Sequence, residues 1–390
     1  MGRLEQLIQQ YCPDGVEYKK LEDCLNYEQP TKYIVKDTKY DNTYPTPVLT
    51  AGQTFILGYT NEKTGIYQAS KEKPVIIFDD FTTGFHWVDF DFKVKSSAMK
   101  MLRPACDDIS FRYVYYAMSS IHFEPGTHTR HWISIYSQFE IPVPPLPVQE
   151  EIVRILDTFA ELQAELQAEL QAELQARLQQ YNYYRDNLLS FEGRTDVEWK
   201  KLGEIATFTY GYTAKAEECG EVRYIRITDI NDGGCLIPDN GKYISYTQDT
   251  EPYLLKKGDL VIARTGATYG KTLYYNEDYL SAYASFLIKI ILQDLVNPRF
   301  YWHFSKSNLY WEQARKLVGG GAQPQFNTGA ISQIVIPIPP LAEQQRIVEV
   351  LDRFDTLTND ITTGLPAEIE ARRKQYEYYR DQLLTFKQKA

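Results

Sequence analysis

The chain is poor in cysteine, histidine and positive charge. Its five cysteines (Cys12, Cys24, Cys106, Cys219, Cys235) are an odd number, scattered, with no Cys-x-x-Cys pair. That argues against a disulfide scaffold or a zinc knuckle, and for reduced thiols in a cytoplasmic protein. The five histidines (His86, His122, His128, His131, His303) show no zinc-ligand spacing. His128 and His131, beside Arg130, read as surface polar residues or nucleic-acid contacts. Lys and Arg number 42 against 52 Asp and Glu, so the net charge is −10. A whole-chain basic footprint for nucleic acid is therefore absent, which leaves room only for a local basic face. No apolar run reaches the roughly 18 residues of a membrane span. The start, Met1 to Ile8, lacks the apolar stretch of a secretory signal.

Catalytic signatures are also missing. Gly266-Ala267-Thr268-Tyr269-Gly270-Lys271-Thr272 is a near-match to a phosphate-binding loop. It has three residues between the glycines instead of four, and Leu273-Tyr274-Tyr275 after it reads as strand, so no helix N-terminus faces a phosphate. Asp14 with Glu17-x-Lys19 mimics a nuclease motif, but the acids are too close to sit on separate strands around a metal. No Asn-Pro-Pro-aromatic, Asp-Pro-Pro-aromatic, Gly-x-Gly-x-x-Gly or Gly-x-Ser-x-Gly run occurs. The sequence argues for recognition and against catalysis, with no cofactor or metal bound directly.

What is present is an internal repeat in 390 residues, a length that suggests two or three domains. Ile141-Pro142-Val143-Pro144-Pro145-Leu146 recurs as Ile336-Pro337-Ile338-Pro339-Pro340-Leu341, an offset of 336 − 141 = 195. Gln149, Ile152, Leu156, Asp157 and Phe159 recur at the same offset as Gln344, Ile347, Leu351, Asp352 and Phe354. So does Tyr183-Tyr184-Arg185-Asp186, as Tyr378-Tyr379-Arg380-Asp381. Val16-Glu17-Tyr18-Lys19-Lys20-Leu21 matches Val197-Glu198-Trp199-Lys200-Lys201-Leu202 at an offset of 197 − 16 = 181. The second intervening block is thus 195 − 181 = 14 residues longer. Between these landmarks the two blocks share little.

The shared blocks read as long helices. Ile152, Ile155, Leu156 and Phe159 follow helical spacing, and a helix over 148–191 would be roughly 65 Å long. Gly364 and Pro366 predict a kink or break in the second copy. Two such helices most economically pack antiparallel. From Ala160 to Gln175 the tetrapeptide Ala-Glu-Leu-Gln repeats four times. A solvated helix with a leucine stripe is the plain reading. A molecular ruler is the sharper one, since one tetrapeptide changes the length by about 6 Å. The variable blocks read as mixed α/β, with strands at 74–78, 88–94 and 259–263 and aromatic helices at 111–118 and 300–309. The surplus of 31 tyrosines reads as core and helix seam in preference to base stacking.

The doubled Ile-Pro-x-Pro-Pro-Leu, the Gln-x-x-Ile-Val-x-x-Leu-Asp that follows it and the doubled Tyr-Tyr-Arg-Asp resemble the specificity subunit of a type I restriction–modification system. Gly258 to Gly266 with Gly270-Lys271 looks like a stretch common in its target-recognition domains. The tetrapeptide run and Thr363-Gly364-Leu365-Pro366 look like the type IC branch. The resemblance spans essentially the whole chain. It implies an α+β protein with a pseudo-twofold repeat. A first recognition domain (1–146) and a second (194–341) would be joined by a central helix (147–193) and a distal helix (342–390) packed as an antiparallel coiled coil. Each recognition domain would read half of a split, asymmetric sequence in double-stranded DNA. Two methyltransferase subunits, and restriction subunits, would dock on the helices and carry S-adenosylmethionine, ATP and magnesium. The expected docking positions are Ile152, Leu156, Phe159, Tyr184, Ile347, Leu351, Phe354 and Tyr379.

For DNA contact the first block offers Lys32, Lys63, Lys93, Lys95, Ser96, Lys100, His128 and Arg130. The second offers Arg223, Arg226, Arg264, Lys271, Gln323 and Gln325. Arginine reads guanine and glutamine reads adenine bidentately in the major groove. A plain solvated residue is the competing reading at each position. The rival for the whole chain is a coiled-coil scaffold with two protein-binding modules.

Overall fold

The structure, a computed structural model, describes residues 2–52, 54–126, 129–191, 193–238, 240–318, 325–359 and 364–389. The chain forms two compact units, Met1–Gln167 with Ala371–Ala390, and Ala168–Glu370. Each takes one variable block, about half of the long central helix and a length of distal helix.

The two matching landmarks turn out to be paired strands. Glu17–Lys20 runs antiparallel to Glu140–Val143, with Tyr18 opposite Pro142. Glu198–Lys201 runs antiparallel to Val335–Ile338, with Trp199 opposite Pro337. A two-stranded ribbon tolerates these prolines because the missing N–H can face away from the partner. The dissimilar blocks between the landmarks build the same sheets. In the first, four strands lie in the order Leu25–Glu28, Met99–Pro104, Val75–Asp79, Phe85–Val88, and three in the order Ile56–Thr60, Thr46–Leu49, Lys93–Val94. In the second, the orders are Ala206–Tyr210, Leu287–Leu292, Leu260–Ala263, Thr272–Tyr274, and Tyr243–Ile244, Val222–Ile225, Ser281–Tyr283.

Two predicted elements differ. The alternating run 88–94 is not one strand. Phe85–Val88 ends in the four-stranded sheet, and the chain crosses to the three-stranded sheet before Lys93–Val94. The aromatic helix at 300–309 is Pro298–Phe304, followed by a separate helix Asn308–Val318. Ser305 and Ser307 divide them, their hydroxyls bonding the Trp302 and Phe304 carbonyls at 2.7 Å each.

Each block turns one short helix toward the shared helix beside it. Ser110 caps Phe111–Ser119 by accepting the Tyr113 amide. Asn297 caps Pro298–Phe304 by accepting the Arg299 amide, with Pro298 in the first turn. The central helix, Leu146–Ser190, has 45 residues and is about 67 Å long. Its buried side chains are confined to its ends: Val148, Gln149, Glu151, Ile152 and Leu156, then Tyr181, Arg185 and Leu189. Through the tetrapeptide run no side chain is buried.

In the second unit the distal helix Leu341–Asn359 runs antiparallel to the central one. Arg194 meets Glu343 at 3.5 Å, and ten residues back along the chain Tyr184 stacks on Phe354, centroids 5.4 Å apart. In the first unit, Leu365–Leu383 shares a groove of about 160 Å³ with the central helix, lined by Phe159, Leu162 and Leu166 against Arg372, Tyr376 and Tyr379. After Leu341–Asn359, 360–363 lie outside the described residues; at the predicted break Gly364 is a bend outside any helix, and a helix begins at Leu365 with Pro366 in its first turn. Beyond it the chain end is stitched to the first unit: the Val16 amide donates to the Lys387 carbonyl and the Lys389 amide to the Val16 carbonyl, both at 2.9 Å.

Candidate nucleic-acid interface

Several predicted DNA contacts prove to be internal supports. Lys93 is 1% exposed and pairs with Glu62 at 3.0 Å, while donating to the Thr64 and Gly65 carbonyls. Lys100 is 1% exposed and pairs with the equally buried Asp80 at 2.7 Å. Arg223 is buried and donates to the Ile237 and Pro238 carbonyls. Each charge lies on a stretch of strand that is buried on both faces, so it is met by groups of the fold instead of by phosphate. Arg226 and Lys271 are less buried but face acids, Asp229 at 2.7 Å and Asp232. His131, expected at the surface, is 2% exposed. His128 and Gln323 lie outside the described residues.

What remains in the first block is a group of exposed cations around the buried Lys93–Glu62 pair. Glu62 also accepts the Lys36 and Asp37 amides at 2.8 and 2.9 Å. Burial alone would raise the Glu62 pKa. The Asp37 amide, Lys93 and the Lys36 amide outweigh it and hold the carboxyl below its usual range. Gly65 has φ +63° and packs so tightly that a Cβ would lie 2.5 Å from the Lys32 carbonyl. The turns carrying Lys32, Lys63 and Lys95 are thus gathered at one hub. Lys32 is exposed and meets Glu28 at 3.6 Å, Lys63 is exposed, and Lys95 is exposed beside the Tyr40 hydroxyl at 3.4 Å. Ser96 is tied into its turn by the Ala98 amide at 3.3 Å. Arg130 is exposed but belongs to another segment.

In the second block the structure brings Arg264 and Gln325 together. Thr265 bridges Gln325, and the Phe326 amide donates to the Arg264 carbonyl at 2.7 Å. The half-buried Arg264 guanidinium lies between the Tyr210 ring (5.3 Å to its centroid) and the Phe286 ring (5.4 Å), and its Nε donates to the Ser285 carbonyl at 3.1 Å. No carboxylate is among its described contacts. Tyr210 and Phe286 are 42% and 52% exposed, so the clamped fork sits at the surface. A guanidinium stacked between rings has lost much of its rotamer freedom and keeps its outer N–H groups aimed outward. Tyr210 and Phe286 were missed because 76 residues separate them and neither carries a motif.

The docking candidates divide in the same way. Ile152, Leu156, Ile347 and Leu351 are fully buried in the cores of their own units and offer nothing to a partner. Phe159, Tyr184 and Tyr379 are exposed, with Phe354 half-buried beneath Tyr184. Among the described residues no group of His, Cys, Asp and Glu could hold a metal. No described helix is long and apolar enough to cross a membrane.

The family model for type I restriction modification DNA specificity domains matches twice, at residues 13–176 and 195–371. The chain belongs to that family. The EcoR124I/EcoR124II specificity subunit of Escherichia coli is 45% identical, the match covering 99% of this chain and 97% of that protein. A putative type I specificity subunit of Haemophilus influenzae is 31% identical over 98% of each. Two solved chains share the fold. One, from work on assembly and conformational transition of a type I restriction–modification system, has a TM-score of 0.60 at 16% identity, covering 95% of this chain and 98% of that one. The other, an S subunit from M. genitalium, has a TM-score of 0.50 at 14% identity, covering 95% and 96%.

One buried polar cluster distinguishes the second specificity repeat. His303 is fully buried and bonds the Tyr181 hydroxyl through Nδ1 (3.1 Å) and Asp352 through Nε2 (2.8 Å). Arg299 and Lys306 from its own segment, Arg185 from the central helix and Asp355 from the distal one complete the surroundings. Burial lowers the His303 pKa to about 4 against 6.5 in the open chain. The unfolded chain therefore takes up a proton first as pH falls. The stability from burying a neutral imidazole is complete above pH 6.5 and is lost between 6.5 and about 4, at most about 3 kcal/mol. Hydrogen-exchange protection of Pro298–Phe304 under denaturant at pH 7 and 4.5 checks this. His303→Gln should flatten the pH dependence, and an unchanged slope would reject the assignment.

Proposed function

We propose that this chain is the non-catalytic DNA-reading subunit of a type I restriction–modification enzyme. Each unit reads one half of a split, asymmetric target, and the helices carry methyltransferase and restriction subunits. S-adenosylmethionine, ATP and magnesium belong to those partners. The observation that carries the reading is the pair of like-folded units with unlike surfaces. One gathers Lys32, Lys63 and Lys95 around a hub, and the other clamps Arg264 beside Gln325. A pseudo-repeat with identical surfaces would favour a palindrome, and different surfaces favour unlike half-sites. The exposed Tyr183-Tyr184 and Tyr378-Tyr379 pairs, 195 residues apart, give each helix the same aromatic surface for a repeated partner.

The experiment is methylation mapping of DNA from cells making this chain with its methyltransferase partner, against cells lacking the chain. A split asymmetric motif that depends on the chain supports the reading. No motif with an active partner supports a scaffold instead. Within the same assay Arg264→Ala should weaken recognition of one half-site by about 10- to 100-fold, the scale of one bidentate base contact. Equal loss on every sequence would reassign Arg264 to phosphate.

A further inference from the structure

Two polar positions of the doubled helix motif meet the variable block of their own unit in matching ways. Gln149 is buried; its carbonyl accepts the Ser110 amide at 2.8 Å and its amide donates to the Pro144 carbonyl at 2.6 Å. Gln344 is also buried; it accepts the Asn297 amide at 2.8 Å and donates to the Pro339 carbonyl at 2.8 Å. Ser110 and Asn297 are the caps of Phe111–Ser119 and Pro298–Phe304. Eight residues further along each shared helix comes an aspartate. Asp157 Oδ1 accepts from Arg112 Nε at 2.9 Å and the Tyr116 hydroxyl at 2.6 Å. Asp352 Oδ1 accepts from Arg299 Nε at 2.7 Å and bonds His303 Nε2 at 2.8 Å.

The donors lie four apart in both blocks and keep one offset, 299 − 112 = 187 and 303 − 116 = 187. An indole covers each guanidinium, Trp87 at 4.7 Å and Trp302 at 3.8 Å from its centroid. Trp87 comes from a strand and Trp302 from the helix itself. Blocks that share a fold but little sequence therefore keep the same contacts, with the indole alone arriving by a different route. Core packing alone does not require this, since an apolar pair would fill the same partly exposed space.

We propose that the glutamine and aspartate of each shared helix form a two-point dock that sets the angle of the recognition block on that helix. Arg112 and Arg299 are its positioning residues. This rests on the DNA-reading role above. The two points are about 12 Å apart along the helix. Between the points Ile152 and Leu156 pack in one core with Tyr113, Val114 and Ala117; that apolar seam holds the block on the helix, and opening the aspartate point leaves its angle less sharply fixed. Such a block still presents the same base-reading side chains but no longer holds them at one distance from the other half-site.

The test uses the full chain with its methyltransferase partner and a panel of duplexes. These carry both half-sites with spacers from two base pairs shorter to two longer than the wild-type optimum. Asp157→Asn and Arg112→Lys should keep the half-site bases while the preference for the optimal spacer falls about 10-fold, the scale on which small misplacements act. The exchanged pair, Asp157→Arg with Arg112→Asp, should recover part of that preference. If the contact only stabilises the fold, rates fall equally on every spacer and the preference stays, which overturns the proposal. Altered half-site bases overturn it as well. Arg112→Lys retains the charge and serves if Asp157→Asn fails to fold. A wild-type chain that shows no split motif would sink the DNA-reading role itself, a separate result.

Discussion

A chain lacking one Ala-Glu-Leu-Gln unit, for example Ala164–Gln167, is expected to read the same two half-sites across a spacer shorter by one to two base pairs. No side chain is fully buried through this part of the central helix, and the half-buried Leu166 of the groove is replaced in the shortened chain by Leu170 of the next repeat. Helix propensity is unchanged because the remaining repeats are identical. Four residues remove about 6 Å of rise and leave a rotation of about 40°. B-DNA rises about 3.4 Å per base pair and turns about 35° at 10–10.5 base pairs per turn. The rotation corresponds to one base pair and the translation to nearly two. Methylation of the duplex panel checks this, with an inserted unit expected to act in the opposite sense. Replacing Ala164–Gln167 by four alanines keeps the length and should keep the spacer. Altered half-site bases with an unchanged spacer would refute a ruler.

Much of the architecture was legible because it is encoded by repetition and by backbone chemistry. The offsets of 181 and 195 marked the strands that pair, and Gly364 with Pro366 marked the break in the distal helix. The interface was less legible. Lys93 lies between Phe92 and Val94, and Lys100 between Met99 and Met101. Strand alternation sets each lysine on the face opposite those apolar flanks, which reads as solvent-facing; that second face is covered as well, by Glu62 and Asp80 from 31 and 20 residues away, and only the fold joins them. The apolar stripe of Ile152 and Leu156 was read correctly as a helix face. Periodicity says that such a face is covered, and it does not say whether by the same chain or by another. Arg264 stood out by residue type, whereas its clamp by Tyr210 and Phe286 exists only after strands from distant segments pair.

Lys100→Ala separates the two readings of that lysine most sharply. As a DNA contact, its loss would weaken binding and leave the fold intact. In the structure its ammonium is sealed against Asp80, whose other oxygen accepts the Trp132 amide at 2.9 Å and whose carbonyl accepts the His131 amide at 2.8 Å. Removing the cation leaves a carboxylate at 1% exposure without its counter-charge. Breaking one side of such a buried pair typically costs 3–5 kcal/mol. The cost should appear as lost hydrogen-exchange protection in Met99–Pro104, which carries Lys100, and in Val75–Asp79, which ends beside Asp80, with the second unit unaffected. Asp80→Asn in the same chain should return part of the stability, because a neutral amide no longer needs the ammonium and can still accept the Trp132 amide. Full protection in Lys100→Ala, together with a salt-dependent loss of DNA affinity, would restore Lys100 to the DNA surface.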